Sequence, residues 1–95
     1  IEANSGQIAN AAGATWRGNV VTNLGGISNK GTWVGNAGGN GVNHGPGSIY
    51  NDGAAATWTG DVIDDDSQIV NDNGATWNGD VNGNNNVVFN MASST

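Results

Sequence analysis

The chain has 95 residues, with 17 Gly, 17 Asn and no Cys, and its formal net charge of -6 is set against only two Lys and Arg side chains. A phosphate-binding nucleic-acid surface needs clustered Lys and Arg, so nucleic acid is excluded as a partner, as are anionic membrane surfaces. The length points to one domain, 1–95, yet a chain more than a third Gly or Asn does not offer the apolar patterning of a compact globule.

In chain order, Ile1 to Gln7 aligns with Val62 to Gln68, the third segment of a later repeat. A repeat proper then opens at Ile8-Ala9-Asn10 and recurs at Ile27-Ser28-Asn29, Ile49-Tyr50-Asn51 and Ile69-Val70-Asn71, with a partial copy at Val88-Phe89-Asn90. The steps are 19, 22, 20 and 19 residues. After each full opening comes a phrase Thr-Trp-x-Gly-(Asn/Asp), centred on Trp16, Trp33, Trp58 and Trp77. A unit that short cannot bury an apolar face alone, so its neighbours must supply the core.

Within a repeat the apolar anchors fall six apart, as in Ile69, Ala75, Val81 and Val87. A helix needs apolar residues three and four apart, and Gly and Asn are poor helix formers. The spacing predicts an all-β, single-stranded β-solenoid, a parallel β-helix with about three short sides per rung of 19–22 residues and four to five rungs. Disorder is the rival, but Trp and Ile/Val columns in register are what disordered chains lack. The second repeat is longer, which places an insert at 36–48; it contains His44, the one histidine.

Alternation along a strand puts Ala14, Trp16, Gly18 and Val20 on one face. The Trp and the Gly never change, whereas the residue between them is Arg17, Val34, Thr59 or Asn78. The Trp column is therefore expected inside, stacked with Ile8, Ile27, Ile49 and Ile69; the competing reading makes the indoles an exposed aromatic strip. Asn10, Asn29, Asn51, Asn71 and Asn90 form one column, expected to hydrogen-bond from rung to rung about 4.8 Å apart. Gly13, Gly31 and Gly74 are expected at bends needing positive φ.

No Ser, His and acid grouping, Cys nucleophile or phosphate loop is present, so no catalytic residue is assigned and the chain is read as a non-enzyme. No cofactor is called for. Asp61, Asp64, Asp65 and Asp66, with Asp80 one rung away, form a candidate Ca²⁺ cluster, because dense hard oxygens suit that ion. The alternative is a solvated acidic corner. No apolar run is long enough to span a bilayer, so membrane insertion is not expected.

The phrases Gly-Ala-Thr-Trp-Asn-Gly-Asp-Val, Gly-Gly-Ile-Ser-Asn-Lys-Gly-Thr-Trp-Val-Gly-Asn and Gln-Ile-Val-Asn-Asp-Asn-Gly resemble the Gly/Asn-rich β-helical repeats of bacterial autotransporter passengers and large surface adhesins, with a kinship of type to functional amyloids. The resemblance implies a secreted or cell-surface location and a structural or adhesive role, in a stalk or a filament. The chain starts and stops mid-rung, so its expected partners are flanking repeats or copies of itself stacked head to tail through Ile1, Ile8, Val88 and Phe89. Alternatives are a module that binds carbohydrate through exposed Trp or ice through Thr15, Thr32, Thr57 and Thr76, and, less favoured, a polysaccharide-degrading enzyme.

Overall fold

The computed structural model describes residues 1–40, 48–83, 87–91 and 93–95. All strands among them pair in parallel, and no helix occurs among the described residues. Parallel pairing follows from the repeat: when one phrase recurs each turn, equivalent residues lie one above another. The coil makes about four turns with rungs of roughly 19 residues.

On the isoleucine side five strands stack, Gln7–Asn10, Gly26–Asn29, Ser48–Asp52, Gln68–Asp72 and Val88–Asn90. Their register sets Ile8, Ile27, Ile49, Ile69 and Val88 in one column and the five asparagines in another. On the tryptophan side Thr15–Arg17, Thr32–Val34, Thr57–Thr59 and Thr76–Asn78 align Trp on Trp. The third side is broken in two by a corner. Val20, Ala37, Val62 and Val81 form its apolar stretch, and beyond the corner Ala3–Asn4 pairs with Thr22–Asn23.

Each rung sends one Ile, one Trp and one Val or Ala inward, and the strands' period of two keeps them on the inner face. Ile27, Ile49, Ile69, Trp33, Trp58, Val20, Val62 and Ala37 are buried, whereas Ile8, Trp16, Trp77 and Val81 on the outermost rungs pack against them only partly covered. A fully buried aliphatic side chain contributes about 1.5–3 kcal/mol, so the coil's stability grows with each rung added.

The insert is shorter than expected. Ala37–Gly38 pairs with Val62–Ile63, and Ala37 and Asn40 are buried, so the coil continues through residue 40. Ala stands there in the place of Val and two glycines follow it, which disguises the rung. Residues 41–47, with His44, lie outside the described residues.

Candidate functional site

The tryptophans form a continuous stack. Ring centroids are 4.9 Å apart from Trp16 to Trp33, 4.6 Å from Trp33 to Trp58 and 4.7 Å from Trp58 to Trp77, with planes within 8° of parallel. Trp33 and Trp58 are fully buried, so the indoles line the interior and form no outer strip. Burial of an indole requires a partner for its N–H. Trp16, Trp33 and Trp58 each donate Nε1–H to the carbonyl of the glycine two residues on, at 3.1 Å.

That glycine is fixed by more than volume. Gly18, Gly35, Gly60 and Gly79 have φ of 140°, 153°, 148° and 151°, a region side chains rarely adopt. A Cβ on Gly60 would also overlap the Gly35 carbonyl, and one on Gly79 that of Gly60. Gly31 is a different case from Gly13 and Gly74: those two have positive φ, as expected, whereas at Gly31 a side chain would strike the Ala14 and Ala11 carbonyls. Close approach, not backbone sign, selects it.

The asparagines hold the rungs together. Asn10 donates Nδ2 to Asn29 Oδ1, Asn29 to Asn51, Asn51 to Asn71 and Asn71 to Asn90, at 2.8–2.9 Å. Each of these donors also reaches a carbonyl on the rung above, that of Thr32, Thr57, Thr76 or Thr95, at 2.9–3.0 Å. Asn29, Asn51 and Asn71 are buried, so these bonds satisfy groups that water does not reach.

A second column runs inside the opposite corner. Asn4 donates to Asn23, Asn23 to Asn40 and Asn40 to Asp65 Oδ1, at 2.9, 2.8 and 2.7 Å. Sequence reading missed it because its steps are 19, 17 and 25 residues, where the first column repeats with its phrase intact. A third column explains the Asn/Asp ending of the Trp phrase. Asn19 Oδ1 accepts from the Asn36 backbone N–H, Asn36 Oδ1 from Asp61 and Asp61 Oδ1 from Asp80, at 2.8, 2.8 and 2.9 Å. These bonds use the side-chain oxygen as acceptor, so either residue serves.

The structure divides the expected carboxylate cluster. Asp61 and Asp80 belong to this corner column, Asp64 sits at a turn with φ 56°, and Asp65 faces inward with no exposure. Among the described residues no three His, Cys, Asp or Glu side chains come together as metal ligands. The inner column holds Asp65 through Oδ1, and Asp61 Oδ1 is engaged by the Asp80 N–H, so the five carboxylates are not gathered as one ligand set among the described residues. Asp65 Oδ1 accepts from Asn40 and, at 3.4 Å, from the Ser67 N–H, while Oδ2 is buried without a hydrogen bond. Burial raises the Asp65 carboxyl above the ordinary aspartate value; the Asn40 and Ser67 hydrogen bonds oppose that rise and the Asp66 charge adds to it.

The terminal rungs carry the apolar residues expected there. Ile1 is 54% exposed, Ile8 is half-buried, and Val88 and Phe89 are each 43% exposed. Above Trp77 lies a recess of about 250 Å³, lined by Asn71, Trp77, Gly79, Val81, Val88, Asn90 and Thr95. Its floor is the last indole of the stack. Comparison of the chain with protein-family models, with curated proteins and with solved structures finds no match, so the columns carry the functional argument.

Proposed function

We propose that this chain is a structural or adhesive β-solenoid, exposed at a cell surface or secreted, that forms part of a stalk or the subunit of a head-to-tail filament and performs no catalysis. The observation that supports this most is the use of the buried polar groups. Asn29, Asn51 and Asn71 spend their amides on the rung above and their oxygens on the rung below, so rung-to-rung cohesion is what the sequence provides for. A terminal rung then offers half-used asparagines, strand edges and apolar side chains to whatever stacks on it, either a copy of the chain or a flanking repeat.

Sedimentation and electron microscopy of the purified 95-residue chain at rising concentration test the assembly. The expected result is unbranched filaments that lengthen with concentration; a monomer that persists at millimolar concentration contradicts it. Immunogold labelling of intact source cells tests the location, with labelling confined to the cell interior as the contrary outcome. Sugar binding through indoles is less favoured, because Trp33 and Trp58 are covered and only the two end indoles have a partly open face.

A further inference from the structure

The asparagine column has a direction. From Asn10 to Asn71 each side-chain amide donates toward the C-terminal end of the coil and receives from the N-terminal side. The carbonyls fix this sense. Nδ2 of Asn10, Asn29, Asn51 and Asn71 also donates to a threonine backbone oxygen, an acceptor only, and turning an amide over would set oxygen against oxygen. The two ends of the column therefore differ. At the N-terminal rung the column finishes in an acceptor, Asn10 Oδ1, and at the C-terminal rung in a donor, Asn90 Nδ2, whose contact with the Ser94 carbonyl is long at 3.4 Å.

We propose that these ends are a directional pair, in which Asn90 of one copy donates to Asn10 Oδ1 and to the Thr15 carbonyl of a second copy laid on it in the same sense. The proposal rests on the self-stacking reading above and specifies its partner, orientation and contact residues. The geometry is the one the coil already uses: Asn71 reaches Asn90 Oδ1 and the carbonyl of Thr95, the threonine that follows on the tryptophan side, and Thr15 is the equivalent of Thr95 one copy on. In that register Val88 and Phe89 lie beneath Ile8 and Ala9, so the inward-facing Val88 and Ile8 cover each other while Phe89 and Ala9 stay on the outer face. A copy turned end for end opposes Oδ1 to Oδ1 or Nδ2 to Nδ2. Each buried group so orphaned weakens association about tenfold or more.

Two sets of variants of the full chain test this. Asn90→Asp keeps the oxygen that accepts from Asn71 and removes the outgoing donor, so it is expected to melt close to the parent while assembling about 10- to 100-fold more weakly. Ala9→Cys with Phe89→Cys puts thiols in neighbouring register positions about 4.8 Å apart, within disulfide reach. The double variant is expected to oxidise to long disulfide-linked ladders, and each single variant to cross-link no faster than the urea-unfolded chain. Rapid disulfide dimers from either single variant, or an Asn90→Asp chain that assembles like the parent, would overturn the directional pair and leave self-stacking intact. A parent chain that stays monomeric overturns both.

Discussion

At Asn51 the side-chain oxygen accepts from Asn29 while the amide donates to Asn71 Oδ1 and to the Thr76 carbonyl. At Asn36 the column bond engages the oxygen, which accepts from the Asp61 N–H. Asn51→Asp therefore removes two buried donations and sets a carboxylate against two acceptors, at a cost of about 3 kcal/mol or more, whereas Asn36→Asp costs less than about 1 kcal/mol. Urea denaturation of both variants checks the contrast, and equal losses would refute the division between donor and acceptor columns. Asp65 stands where an asparagine would continue its column, and its Oδ2 has no partner. Asp65→Asn keeps the oxygen that accepts from Asn40 and removes a charge from the interior, so it is expected to stabilise the chain at neutral pH. The pH dependence has a definite sign. Burial raises the folded carboxyl above its unfolded value, so this residue's contribution is fully present below the unfolded value and is lost as pH rises through the folded one. Melts across the acid range should show that loss in the parent and not in Asp65→Asn. A parent whose stability rises over the same interval, with Asp65→Asn following it, would contradict the assignment.

At the scale of the strand, the Trp-x-Gly phrase is a single device. The indole fills the interior, its N–H closes on the glycine carbonyl, and the glycine turns the corner under the next rung's glycine. Trp58→Ala leaves a cavity between Trp33 and Trp77 and is expected to cost about 3–5 kcal/mol. Trp16→Ala, at a partly covered end of the stack, is expected to cost less. Thermal or urea unfolding orders the two, and the reverse order would place the column elsewhere than the interior. Gly60→Ala combines a disfavoured φ with overlap on the Gly35 carbonyl, so it should destabilise by more than about 3 kcal/mol although it adds only one methyl group. This level was well exposed in the sequence. Four copies of one phrase placed the indoles inside, because an invariant Trp and Gly beside a variable residue is the signature of an inward face. The Asn4 to Asp65 column was hidden for the opposite reason: its members keep one corner of the coil but not a constant sequence neighbourhood, and its last step is 25 residues long. The corner column was hidden because a backbone N–H leaves no mark in a sequence. Asp61 thus reads as charge when its bonded role is that of an oxygen acceptor.

For the whole molecule, fold class, rung length and strand direction were legible from the repeat, since equivalent phrases 19–22 residues apart have few other ways to pair. Which carboxylates meet was not, because that depends on where the third side bends. If copies stack in this register, the asparagine and isoleucine columns continue from one copy into the next. Fibre diffraction from aligned, concentrated chain tests that most directly. The isoleucine side of each copy contributes five stacked strands, and at about 4.8 Å per strand the axial repeat is about 24 Å per copy, so a sharp meridional reflection near 4.8 Å with a weaker one near 24 Å is expected. Aligned fibres that place the 4.8 Å reflection off the filament axis, or a concentrated chain that gives no fibres at all, would contradict it.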